Sequence, residues 1–114
     1  MSESNAIVHF DICGPEEAGL SRFYAELLGW SVTPQGPGYA LVDTPGGLRG
    51  SIVGSEAQKL AIGVQVTNIE HAVGAATRLG GEVVMPPTDN GWVTKAEIRD
   101  PAGNPLTLIQ GPAE

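Results

Sequence analysis

The sequence of 114 residues contains one cysteine, few basic side chains and no long apolar run. Cys13 cannot form an internal disulfide, so the fold does not depend on an oxidising compartment. Six Lys and Arg against 13 Asp and Glu give a formal net charge of −7, which argues against nucleic acids and anionic membrane surfaces as partners. No apolar stretch approaches the about 18 residues of a membrane span, and no signal peptide is recognised at the start. We therefore expect a cytoplasmic protein.

The sequence does contain one pattern twice. Each copy begins with an alternating strand, continues with an amphipathic helix that ends at glycine, and closes with three short strand-like runs. The first copy covers about residues 6–54 and the second about residues 60–110. A repeat of this length indicates two units whose apolar faces need each other, and 114 residues leave room for one domain. We predict a single α+β domain over residues 1–114.

Local signals predict where these elements begin and end. Pro15 is expected at the first position of the first helix, and Gly29 at its end. A capping-box pattern from Thr67 to Glu70 predicts the start of the second helix. The strand that begins at Glu82 is expected to stop before the two prolines at 86 and 87.

Two motifs connect this layout to a known family. The first helix ends in FYAELLGW, and the last strand follows the turn in RDPAGNPLTLIQ. With these motifs the chain resembles the vicinal oxygen chelate superfamily, which includes glyoxalase I, bleomycin-resistance proteins and extradiol dioxygenases. The resemblance implies two βαβββ modules that form a curled, open, barrel-like mixed sheet with the helices outside. Two four-stranded half-sheets would leave exposed edges and an apolar rim, and members of the superfamily usually dimerise, so we expect a homodimer.

The resemblance allows the metal chemistry of the superfamily to be checked. Its enzymes hold one divalent metal ion through His or Glu side chains on the first and last strands of each module. His9 stands at the first position, whereas the other positions have Gly50 or Ser51, Ala61 and Thr107. Since a stable catalytic site needs three or more good ligands, we predict no metal ion and no other cofactor.

Small residues at the positions where the superfamily has its metal ligands leave volume on the inner side of the curled sheet. We expect a small organic molecule to bind there, because two half-sheets that need each other tend to enclose a cavity. Alternation leaves the relative facing of Gly50 and Ser51 undetermined, because adjacent strand residues point to opposite faces. The expected ligand-binding residues are His9, Asp11, Ser51, Ala61, Gly63, Gln65, Trp92 and Thr107.

Several functions remain open at this point. The first is a metal-free binding protein, the second a metal-dependent lyase, isomerase or dioxygenase, and the third a module that binds a protein partner. We assign no catalytic residue. His9 and Asp11 could form an acid–base pair, although a polar wall residue is the simpler interpretation of His9. Cys13 is interpreted as a small apolar residue, and Trp92 as a ligand lid, an interface anchor or a packed side chain.

Overall fold

The computed structural model describes residues 5–111, which contain two helices and eight strands in the order β, α, β, β, β, stated twice. This order confirms the predicted α+β class with two βαβββ modules. The chain divides into two compact units, one covering His9–Leu60 and the other combining the residues before His9 with those after Leu60. Among the described residues, no helix is long and apolar enough to cross a membrane.

The first unit contains a sheet with strand order β2-β3-β4-β1, in which β1 and β4 run parallel and the other pairs are antiparallel. Its elements are β1 (Ile7–Gly14, whose first two residues precede the unit), α1 (Glu17–Leu28), β2 (Ser31–Gly36), β3 (Tyr39–Asp43) and β4 (Arg49–Gly54). Helix α1 covers one face of this sheet, and the core between them is centred on Ile12, Val42 and Ile52. Trp30 packs against this core and stacks on Tyr24 with ring centroids 5.6 Å apart.

Helix α1 begins later than the sequence predicts. Pro15 lies outside the helix, because Glu16 adopts a left-handed conformation with φ 60° and ψ 70° as the N-cap. Gly29 ends the helix as predicted, with φ 72° and its N–H donating to the carbonyl of Ala25. Leu27, on the apolar stripe of the helix, remains 63% exposed.

The second unit contains a sheet with strand order β5-β8-β7-β6, in which β5 and β8 run parallel. Its elements are β5 (Lys59–Gln65, which begins at the boundary of the units), α2 (Ile69–Arg78), β6 (Glu82–Asp89), β7 (Thr94–Arg99) and β8 (Pro105–Gln110). Helix α2 packs on one face of this sheet. The core there consists of Val66, Ile69, Ala96, Ile98 and Leu108.

Two predicted boundaries in this unit are wrong. Asn68, and not Thr67, is the N-cap of α2, and its side-chain Oδ1 accepts the N–H of His71 at 3.0 Å. Strand β6 continues through the two prolines at 86 and 87 instead of stopping before them. It lies at the end of the strand order and its pairing with β7 is irregular between Met85 and Thr88, so the missing N–H groups are tolerated.

Candidate functional site

The side chains of β1 divide between the two faces of the first unit's sheet. Phe10 and Ile12 point towards α1, where they pack in the core. Because strand side chains alternate, His9 and Asp11 lie on the face opposite α1. The parallel pairing of β1 with β4 places Asp11 in register with Ser51. Three polar residues from two neighbouring strands therefore meet on one face.

The packing of Gly50 decides which way Ser51 points. A Cβ atom added to Gly50 would lie 2.4 Å from Cζ of Phe10, so this position faces α1. Ser51, its neighbour on β4, accordingly faces His9 and Asp11. Of the two residues that the sequence left undetermined, only Ser51 belongs to the polar face.

His9, Asp11 and Ser51 form a closed triangle of hydrogen-bonding contacts, which we call the His9 cluster. Nε2 of His9 lies 2.9 Å from Oγ of Ser51 and 3.1 Å from Oδ1 of Asp11. The Ser51 hydroxyl donates to the same Oδ1 at 2.8 Å. Ser51 is 3% exposed, whereas the His9 and Asp11 side chains are 22% and 24% exposed. The cluster is therefore buried at Ser51 and has an accessible edge, where His9 and Asp11 lie.

The geometry of the His9 cluster differs from that of a nucleophilic triad. In such a triad the serine and the carboxylate contact different nitrogens of the histidine ring. Here both contact Nε2, and the Ser51 hydroxyl donates to Oδ1 of Asp11. The arrangement orients the imidazole and does not activate the hydroxyl.

The His9 cluster also tests the metal site that the family resemblance implies. It contains two ionisable side chains that could ligate a metal ion, those of His9 and Asp11, and the third member is the neutral hydroxyl of Ser51. Within residues 5–111, no group of three or more His, Cys, Asp or Glu side chains could hold a metal ion. A stable divalent site needs more anionic or imidazole ligands than this cluster has. The residues present do not fit the implied metal centre.

The remaining predicted site residues lie in the second unit. Gly63 and Thr107 are in register across β5 and β8. Ala61 is 6% exposed on β5, and the backbone of Gln65 at the end of that strand bonds to Asn5 and Ala6. Trp92 lies in the turn between β6 and β7 with 82% of its surface exposed, so it is not a packed side chain.

One residue of the second unit was not assigned from the sequence. Glu97 is in register with Thr107, on the face of the sheet opposite α2. Its neighbours Ala96 and Ile98 are both buried in the core under α2. The alternation of a polar residue between two apolar ones is the feature of the sequence from which this facing could have been predicted.

A separate, open pocket of about 860 Å³ lies beside the start of α1 in the first unit. Its wall is largely apolar and includes Ile12, Cys13, Leu20, Tyr24 and Leu60. Ile12 belongs to the core under α1, so the pocket opens on the helix side of the sheet. It is distinct from the accessible edge of the His9 cluster.

Comparison with known proteins adds family information to this geometry. The structure of methylmalonyl-CoA epimerase from Mycobacterium tuberculosis is 13% identical with a TM-score of 0.71, over 99% of this chain and 93% of that one. A glyoxalase/bleomycin resistance protein/dioxygenase superfamily member from Vibrio splendidus 12B01 is 13% identical with a TM-score of 0.70, over 94% and 99%. The Mn(II)-bound glyoxalase from Novosphingobium aromaticivorans is 14% identical with a TM-score of 0.70, over 96% of this chain and 40% of that one. At these identities the likeness shows the fold.

Sequence comparisons are more specific about the family. No curated protein matches the chain significantly. The family model of the glyoxalase-like domain matches residues 7–109, which is nearly the whole chain. The chain therefore belongs to the glyoxalase-like domain family, within the vicinal oxygen chelate superfamily.

Proposed function

We propose that this chain binds a small organic molecule, without a metal ion, at the accessible edge of the His9 cluster. The observation that carries the proposal is the triangle of contacts among His9, Asp11 and Ser51. Polar side chains that satisfy one another hold a fixed geometry before any ligand arrives, which reduces the entropy lost on binding. The partial exposure of His9 and Asp11 leaves them within reach of a ligand.

Apolar surface beside the cluster supports the same proposal. Leu41 is in register with Ser51 across β3 and β4, and it is 38% exposed. Tyr39, two residues before it on the same strand face, is 40% exposed. Sites for small molecules combine apolar walls with a few fixed polar groups, and this face provides both.

The second candidate function is that of a metal-dependent lyase, isomerase or dioxygenase of the same superfamily. The structurally similar glyoxalase from Novosphingobium aromaticivorans binds Mn(II), and His9 and Asp11 are chemically suitable ligands. Two such ligands on one strand are too few for a stable site, so we favour metal-free binding.

Metal content separates these two candidates. We predict that untagged protein purified without added metal contains far less than one equivalent of Zn, Ni, Fe or Mn per chain. Elemental analysis measures this directly. About one equivalent of any of these metals, lost in His9→Ala but kept in His71→Ala, would overturn the metal-free proposal. His71 is a matched control because it is the other of the two histidines and lies exposed on α2.

Ligand binding is tested by thermal stabilisation in the presence of a chelator. A screen of small, largely apolar compounds that carry one polar group should give compounds that raise the Tm of the wild type. The same compounds should fail to stabilise His9→Ala and should still stabilise His71→Ala. A screen in which no compound stabilises the wild type would favour a protein partner instead.

We also infer a cytoplasmic, homodimeric protein. The single cysteine gives no internal disulfide, which suits a reducing compartment. Strands β2 and β6 end the strand orders of their units, and large apolar side chains such as Leu27 and Phe23 are more than half exposed. Symmetric association is a common way to cover such surfaces.

A further inference from the structure

We infer that His9 is held as the tautomer with hydrogen on Nε2, so that Nδ1 accepts a hydrogen bond from a neutral N–H or O–H group of the ligand. This rests on the proposed function, because it names the chemical class of the molecule bound at the His9 cluster. It assigns Asp11 and Ser51 as positioning residues, which act through the imidazole of His9.

The first step concerns the hydrogen of Ser51. A hydroxyl has one hydrogen, and that of Ser51 is donated to Oδ1 of Asp11 at 2.8 Å. It is therefore not available to Nε2 of His9, although Oγ and Nε2 are only 2.9 Å apart. Oγ must act as an acceptor in that contact.

The second step concerns the ring nitrogen itself. Nε2 faces two acceptors, Oγ of Ser51 and, at 3.1 Å, Oδ1 of Asp11. A nitrogen without hydrogen would turn its lone pair towards both oxygens, which is repulsive. The network is consistent only if Nε2 carries the hydrogen and shares it between Oγ and Oδ1. In the neutral imidazole, the lone pair is then on Nδ1.

The third step concerns what the cluster offers to a ligand. Both of its internal donors are used within the cluster, because Nε2–H of His9 is shared by Oγ of Ser51 and Oδ1 of Asp11, and the hydroxyl of Ser51 is donated to Oδ1 of Asp11. The lone pair of Nδ1 is an acceptor, and no hydrogen bond to Nδ1 occurs among the described residues. A ligand that donates a hydrogen bond is therefore matched to this atom.

The charge of the surroundings narrows the ligand class further. Asp11 contributes a carboxylate to the cluster, and Arg49, in register with His9 on β4, is ion-paired with Asp43 at 3.1 Å. A negatively charged ligand would meet like charge in this unit and in a chain of net charge −7. Exposed Leu41 offers an apolar contact beside Ser51. The charges thus disfavour an anionic ligand, and Leu41 favours a largely apolar molecule that carries an N–H or O–H group.

The tautomer can be measured without any ligand. Long-range ¹H–¹⁵N spectra of the histidine rings should show His9 with hydrogen on Nε2 and none on Nδ1, at about pH 8 where an ordinary imidazole is neutral. Asp11→Asn and Ser51→Ala should each convert His9 to a mixture of tautomers, while the spectrum of His71 stays unchanged. Hydrogen on Nδ1 of His9 in the wild type would overturn the inference.

The ligand class is tested with indole and benzofuran, which have nearly the same shape and differ in that indole has an N–H donor. Titrations followed by amide chemical shifts should show indole binding about tenfold more tightly, as expected for one hydrogen bond. The preference should disappear in His9→Ala and persist in His71→Ala. Equal affinity of both compounds at this face overturns the inference and leaves small-molecule binding intact. Binding of neither compound overturns the ligand class, and together with a negative compound screen it overturns the proposed function as well.

Discussion

The packing at Gly50 decides which side chains of β4 lie on the polar face of the first unit's sheet. The ring of Phe10 occupies the space where a side chain at position 50 would lie, at a distance of 2.4 Å from the added Cβ. This close approach fixes the facing of β4 and directs Ser51 to the side of His9 and Asp11. A glycine with no visible role in the site thus determines which residues form it.

We predict that Gly50→Ala destabilises the protein by about 1–3 kcal/mol, because the methyl group forces the Phe10 ring out of its packing against Trp30. Gly19→Ala is the matched control. Gly19 is exposed on α1 with nothing near its added Cβ, so this change should stabilise the protein by about 0.5–1 kcal/mol. Urea unfolding of both variants measures the two effects. An unchanged midpoint for Gly50→Ala would contradict the packing account.

The sequence predicts part of the His9 cluster. Alternation along β1 places His9 and Asp11 on one face, because Phe10 between them is apolar. The contribution of Ser51 could not be predicted with the same certainty, because alternation alone permits either Gly50 or Ser51 to face His9. The packing of Phe10, a contact between different strands, decides between them. The tautomer of His9 likewise depends on distances from its ring to atoms of Asp11 and Ser51, which the spacing of residues along the sequence does not give.

At the level of elements, the turn between β7 and β8 depends on the carboxylate of Asp100. It accepts hydrogen bonds from the side-chain amide of Asn104 at 2.9 Å and from the backbone N–H groups of Asn104 and Ala102 at 2.8 and 2.9 Å. These bonds favour the charged form and lower the pKa of Asp100, the Asn104 side chain contributing most. The sequence motif DPAGN predicted a turn at this place, and these hydrogen bonds to Asp100 explain what stabilises the turn.

A lowered pKa in the folded state makes the stabilisation by Asp100 depend on pH. The stabilisation is present above the pKa of the unfolded chain, about 4 for an aspartate, and is lost as the pH falls through the lower folded value. We predict that wild type is more stable than Asp100→Asn at neutral pH, and that the difference shrinks at pH values below about 4. Urea midpoints of both proteins across this range measure it. A difference that grows on acidification would contradict the assigned direction.

Element boundaries were less predictable than element types. The capping-box pattern from Thr67 to Glu70 predicted Thr67 as the N-cap of α2. Asn68 is the N-cap instead, because its side chain accepts a hydrogen bond from the N–H of His71. The two prolines in β6 were expected to end the strand, but the position of β6 in the strand order removes their cost. Both differences depend on neighbours in space, which a single sequence does not reveal.

At the scale of the whole molecule, we predict a homodimer. Light scattering at micromolar concentration should give a mass of about twice the 11.8 kDa of one chain. Exposed apolar side chains such as Phe23, Leu27 and Leu60, which are 55%, 63% and 68% exposed, provide the physical motive. A mass of one chain across this concentration range would contradict the prediction.

The fold was predictable from the repeat and from two motifs, because module order and turn chemistry are local properties of the sequence. The family model over residues 7–109 agrees with that prediction. Function was less predictable, because one scaffold carries many chemistries in sites formed by a few side chains. We propose that the His9 cluster is this site; the sequence placed His9 and Asp11 on one strand face but did not connect them with Ser51.

Mapping a bound ligand by amide chemical shifts, with chelator present throughout, tests the central claim most directly. For a compound that stabilises the protein, the account predicts that the largest shifts occur at His9, Asp11 and Ser51, with the same affinity before and after Zn²⁺ or Mn²⁺ is added in excess over the chelator. Shifts confined to other residues, or binding that appears only after metal is added, would contradict it.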